Sequence, residues 1–135
     1  MPGTLKLFCL IFLVSLGTAF GQDDPSPSIS KTIASGNAKT LSRYFNEMID
    51  LNIPGFKGNC SKTQSERIIQ AFFTKYPVRS FSVSRKGRSP DGSKFIMGSL
   101  DSGNKKYSLY YLYRITNNGY LVFQFQMQEE TTDEH

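Results

Sequence analysis

Histidine is all but missing from this chain: the single one is His135, the last residue, in an acidic tail expected to be mobile. Without a positioned imidazole, nucleophilic catalysis of the Ser-His or Cys-His kind is excluded. Cysteine is nearly as scarce, Cys9 and Cys60 being the two, so a zinc site lacks ligands. A glycine-rich phosphate loop is missing too, since Gly98, Gly103 and Gly119 fall in strands and turns rather than at the start of a helix. Calcium loops need several acids at fixed spacing, and Ser89-Pro90-Asp91-Gly92 offers one. No metal and no cofactor is expected.

Long apolar runs are absent as well. The longest is Leu7 to Leu16, after Lys6 and before the small-residue exit Ala19-Phe20-Gly21. That run falls short of the roughly twenty apolar residues a membrane-spanning helix needs. Its pattern is that of a secretory signal peptide, residues 1–21, cut before Gln22. The expected product is exported, periplasmic or secreted, with no transmembrane segment in the mature chain. Cys9 leaves with the signal and does not sit at a lipoprotein cleavage site. Cys60 then stands alone, so no intrachain disulfide forms. It reads as a small, partly buried residue, with an intermolecular disulfide or reactive thiol as the alternative. Asn59-Cys60-Ser61 matches a glycosylation acceptor in form only.

The remaining 114 residues suit one domain with one modest core. Its layout is expected as a flexible leader (22–28), a single α+β domain (29–128) and an acidic tail (129–135). The body from Pro25 to Gln128 carries 15 basic and 5 acidic side chains. A basic body with acidic ends suits anionic partners such as lipid head groups or acidic glycans. The plainer reading is a solvated, soluble surface. Nucleic acid is not the expected partner of an exported chain.

Ile29 and Ile33 make a short helical face that Gly36 interrupts. Asn37 is placed to cap a second helix, with Leu41, Tyr44, Phe45 and Met48 as its apolar stripe. Ile49 to Ile53 alternates as a short strand ended by Pro54-Gly55. The clearest helix follows. Ser61 and Gln64 form a capping box, Ile68, Ile69, Phe72, Phe73 and Tyr76 form a broad stripe, and Pro77 stops it. Four strands come next, Phe81–Arg85, Phe95–Leu100, Tyr107–Ile115 and Leu121–Met127. Short turns join them, Asn118-Gly119 suiting a tight hairpin. The economical topology is an antiparallel meander.

Both faces of the last two strands can be read. Tyr107, Leu109, Tyr111, Tyr113 and Ile115, with Leu121, Phe123, Phe125 and Met127, are expected to meet the helices. The opposite face then holds Tyr110, Leu112, Tyr120, Val122, Gln124, Gln126 and Gln128. So uncharged a surface on so basic a chain is either an ordinary sheet face or a subunit interface. Tyr110, Leu112, Val122, Gln124 and Gln126 are the interface candidates for a homodimer.

Paired carboxylates are the one acid/base option. Glu47 and Asp50 lie near the end of the second helix, and Asp50 would suit proton transfer only if buried in a cavity. With Tyr44 and Tyr111 as hydrogen-bonding partners, Asp50 completes the candidate pocket for a small apolar or anionic ligand. Arg79, Arg85, Lys86, Arg88 and Lys94 form a basic rim around one hairpin, with Lys105 and Lys106 at the next turn. Edge strands also carry such charges simply to block aggregation.

Gly36-Asn37-Ala38 with Leu41 and Tyr44-Phe45, Lys62 and Gln64 before Ile68-Ile69 and Phe72-Phe73, Phe81 through Gly87, and Phe95 through Leu100 together carry a family likeness. Over Ile29 to Gln128 the chain resembles an uncharacterised family of exported Bacteroidetes proteins, a domain of unknown function. The resemblance implies the nuclear-transport-factor-2-like superfold, in which helices pack into a curved antiparallel sheet to make a cone. It implies no catalytic residue. Arg85 stands where that family usually has histidine, and Gln124, Gln126 and Gln128 stand where it usually has charges. The expected function is a non-enzymatic binding or assembly module. The alternative is a small cone-fold dehydratase or isomerase using Asp50 and a tyrosine on an apolar ligand.

Overall fold

The computed structural model describes residues 24–131. The expected signal segment, Cys9 and His135 lie outside the described residues. Three helices, α1 (Ser26–Ser35), α2 (Ala38–Ser42) and α3 (Lys62–Lys75), cover one face of a six-stranded sheet. The strands are β1 (Phe45–Ile53), β2 (Phe56–Ser61), β3 (Val78–Arg88), β4 (Lys94–Ser102), β5 (Lys105–Thr116) and β6 (Gly119–Glu129). Their order is β2-β1-β6-β5-β4-β3. Every pairing is antiparallel except β1 with β6, which run parallel.

The two prolines read as a leader instead start a helix. Pro25 is the cap of α1 and Pro27 lies in its first turn, where a missing N–H costs no intrahelical bond. Ser26 is already buried, and Ile29 and Ile33 pack into the core. Gly36 ends α1 at φ 69°, and its N–H donates to the Ile33 carbonyl at 2.9 Å. Asn37 caps α2 by accepting the Thr40 N–H at 3.0 Å. That helix stops after five residues, however, and Phe45 opens a strand. The helical stripe fails at Met48, which is 52% exposed, while Phe45, Ile49, Leu51 and Ile53 are buried. Pairing on both sides, with β2 and β6, outweighs the short-range helical pattern. Pro54-Gly55 is a two-residue hairpin loop, since Ile53 pairs with Phe56. It leads into β2, a strand absent from the sequence expectation of four or five. As an edge strand it buries only Cys60, which leaves little apolar pattern to read.

Ser61 caps α3 as expected, its Oγ accepting the Gln64 N–H at 3.1 Å, the serine half of the capping box. Ile69, Phe72 and Phe73 reach the core and Ile68 is half-buried. On β5, Tyr107, Leu109, Tyr111 and Tyr113 are buried as expected, whereas Ile115, beside the hairpin, is exposed. On β6 the expected alternation breaks. Leu112 pairs with Gln124 but Tyr113 pairs with Val122, so Phe123 is an extra residue in a bulge. The bulge turns Val122 into the core, fully buried, and leaves Phe123 half-buried under the Arg114 guanidinium, 3.8 Å from its ring centre. Val122 therefore does not belong to the outer face. Glu129, read as tail, is the last residue of β6.

Gly98 on β4 lies tight against the backbone of the neighbouring strand. A methyl group there would lie 2.5 Å from the Ser82 carbonyl oxygen and 2.6 Å from the Phe81 ring. The β3–β4 pair would have to separate to admit it. Gly98→Ala is expected to destabilise the fold by about 1–3 kcal/mol, read as a lower urea midpoint. An unchanged midpoint would mean that β3 yields freely.

Candidate functional site

The interior of the cone is packed with side chains. Tyr111 and Tyr113 project from β5 into the space under α1, and each is 2% exposed or less. The Tyr111 hydroxyl donates to the Ser26 carbonyl at 3.2 Å and lies 3.1 Å from Ser30 Oγ. The Tyr113 hydroxyl donates to the Asp24 carboxylate, at 2.9 and 3.1 Å. Rings of Phe45 and Phe125, 5.8 Å apart between centres, fill the neighbouring space. The phenols thus tie the sheet to the start of α1.

The three pocket candidates do not meet. Tyr111 is a core residue. Tyr44 is half-buried just before β1, where its carbonyl accepts the Val122 N–H at 2.7 Å. Asp50 alternates with the buried Ile49 and Leu51, so it faces away from the helices, beside Asn59 of β2 and Gln124 of β6. Glu47 also lies in β1 rather than at a helix end. Burial pushes the Cys60 thiol up, and the Asp50 carboxylate adds to that. A buried thiol held protonated is a packing residue.

On the outer face, register sets rows of neighbours. Phe95, Leu112, Gln124 and Asp50 form one row, and Met97, Tyr110, Gln126 and Asn52 the next. Phe95 stacks on Tyr110 with ring centres 5.9 Å apart. A groove of about 360 Å³ runs between β4, β5 and β6, lined by Met97, Ser108, Tyr110, Gln124, Gln126 and Gln128. The interface candidates Tyr110, Leu112, Gln124 and Gln126 are brought together here, and Val122 is not. Phe95 and Met97 complete the patch. They were legible in the alternation around Ile96 but not assigned a face.

The basic rim divides in two. Arg79 and Arg88 stand at opposite ends of β3, roughly 30 Å apart at about 3.3 Å per residue. Arg85 pairs with Met97 on the outer face, whereas Lys86 pairs with Ile96 and points to the other side. Lys86, Arg88 and Lys94 surround a cleft of about 290 Å³ with Asp24 and Tyr113. Lys94 Nζ bonds Asp24 at 3.1 Å and lies 5.4 Å from the centre of the Tyr120 ring. Arg79 belongs instead with Lys105 and Lys106 around the β4–β5 turn. Among the described residues, no three His, Cys, Asp or Glu side chains gather as metal ligands, and no helix is long and apolar enough to cross a membrane.

Residues 26–128 match the model of a domain of unknown function, DUF4783. The solved structure of a DUF4783 family protein from Bacteroides ovatus is similar at 27% identity and a TM-score of 0.73, covering 82% of this chain and 99% of that one. One from Bacteroides uniformis is 28% identical with a TM-score of 0.70, covering 78% and 95%. An NTF2-like protein of unknown function from Cytophaga hutchinsonii shares the fold at 11% identity, with a TM-score of 0.52 over 76% of this chain and 83% of that one. No curated protein matches the sequence.

Titration reports on the Asp24–tyrosine ties. Partial burial pushes the Asp24 carboxyl up, but bonds from the Ser26 N–H, Tyr113 and Lys94 outweigh it and hold it at about 2. Its stabilisation is present above the ordinary carboxyl range and lost as pH falls toward 2. Asp24→Asn is expected to lose about 1 kcal/mol or less at neutral pH, the site being partly exposed, and to remove that acid dependence. Urea unfolding at pH 7 and at pH 3 reads both. At the other extreme, burial pushes Tyr113 up to about 12 and Tyr111 higher. Stability is then fully present below the ordinary tyrosine value of 10.0 and falls as pH rises through the folded values. Tyrosinate absorbance should show these two ionising only as the protein unfolds.

Proposed function

We propose that this chain, which belongs to the DUF4783 family, is a small exported binding or assembly module that pairs with a second copy through the outer face of its sheet. Export rests on the signal-peptide pattern of residues 1–21. The observation that carries the reading is the contrast between the two faces of one sheet. The inner face is packed with hydrogen-bonded tyrosines and phenylalanines, which leaves a substrate no room beside Tyr111. The centre of the outer face carries Phe95, Met97, Tyr110 and Leu112 among glutamines, with Asp50 and Arg85 flanking it on either side. Six strands about 4.8 Å apart and about nine residues long give a face of roughly 700 Å². A standard interface buries about 800 Å² per partner, so pairing would use the whole face, the uncharged centre and the flanking Asp50 and Arg85 alike. Two-fold pairing would place the same patch on both sides.

A dehydratase or isomerase reading needs Asp50 and a tyrosine to converge on one cavity. Asp50 and Tyr111 lie on opposite faces of the sheet, which weighs against it.

Light scattering at micromolar concentration tests the pairing, with a dimer expected. Leu112→Lys, which desolvates an unpaired charge in the patch, is expected to yield monomer. A monomeric parent, or a dimer unmoved by Leu112→Lys, overturns the proposal. Val122 cannot serve as a second probe, because a charge there would break the core.

A further inference from the structure

Two clefts meet at the C-terminal end of α3. The first, about 440 Å³, lies between the β1–β2 hairpin and α3 and is walled by Ile53, Pro54, Phe56, Ile68, Ala71 and Phe72. The second, about 480 Å³, runs on toward the β4–β5 turn and is walled by Pro77, Arg79, Asn104 and Lys105. Lys75 and Tyr76 line both, so the two clefts adjoin at these residues.

The chemistry changes sharply along this trough. Lys75, at the junction, is the one charged residue of the apolar half. The polar half has Lys75, Arg79 and Lys105 in its wall, and a carboxylate, Asp101, lines the next cleft along with Arg79 and Lys105. Lys105 shares the Glu129 carboxylate at 3.4 Å, while Lys75 and Arg79 enter no ion pair among the described residues. Tyr76 is held at the junction by packing against Phe72, the rings tilted with centres 5.0 Å apart, and by its contact with Gly103. Gly103 takes φ 63° and would bring a methyl group within 3.1 Å of that ring. The turn therefore lies close against Tyr76.

We infer that this trough binds a single-chain anionic amphiphile taken as a monomer from solution. The apolar chain lies between the hairpin and α3, and the carboxylate or phosphate head meets Lys75, Arg79 and Lys105. Apolar burial supplies binding along the chain, and charge-assisted bonds from lysine and arginine fix the head. The inference deepens the binding half of the function proposed above. It uses no outer-face residue of that interface, so the two fail separately.

Calorimetry with decanoate below its micellar concentration tests it. Saturable binding is expected for decanoate, and binding at least about tenfold weaker for acetate, which lacks the chain, and for decyl maltoside, which lacks the charge. Lys75→Ala with Arg79→Ala, and separately Ala71→Glu on the exposed surface of α3, are each expected to weaken decanoate about tenfold at an unchanged melting temperature. If either variant melts early, Ala71→Gln and Arg79→Gln replace it with the same expectation. No saturable decanoate binding, equal binding of acetate, or variants that bind like the parent overturns the inference. So does binding confined to phosphatidylglycerol vesicles, which would make the trough a membrane contact.

Discussion

The fold hangs on two phenols. Tyr111 and Tyr113, successive inward residues of β5, occupy the volume where a cone-shaped domain would otherwise be hollow. Their rings lie 5.7 Å apart between centres, and their hydroxyls end on Ser26, Ser30 and Asp24. A buried hydroxyl without a partner is costly, so the start of α1 has to stay where it is. That requirement orders a segment whose composition alone reads as a leader. It also orients α1 over the sheet, where Ile29 and Ile33 can bury.

Packing the inner face so fully moves any exchange with the surroundings to the outside of the molecule. The sheet's far side and the trough beside α3 are the two surfaces whose chemistry is out of the ordinary. One is broad and uncharged along its centre. The other is narrow, apolar at one end and cationic at the other. They share no lining residue.

The bulge at Phe123 shows how one backbone irregularity redistributes surface chemistry. A regular β6 would have put Val122 outside and Phe123 inside. One extra residue reverses both, because strand side chains alternate with a period of two. Phe123 is then covered by Arg114 rather than by the helices. The same residue shift explains why Val122 looked like an interface residue and is a core one.

Much of the fold was legible in residues that act locally. Ser61 and Gln64 set the start of α3, Pro77 its end, and Gly36 and Asn37 the break between α1 and α2, because capping and backbone restrictions depend on a few adjacent residues. The alternation of β5 gave the inner tyrosines correctly. What needed the tertiary structure was everything settled by a distant partner. Phe45 to Met48 left the helix because β6 lies parallel alongside, and β2 exists because β1 offers it an edge. Asp50 faces outward because strand pairing, not helix periodicity, orients it. The basic residues separated because a single extended strand carries Arg79 and Arg88 to opposite ends. Sequence alone fixes local conformation and the identity of the side chains, whereas the grouping of those side chains into a site depends on long-range pairing that no short window contains.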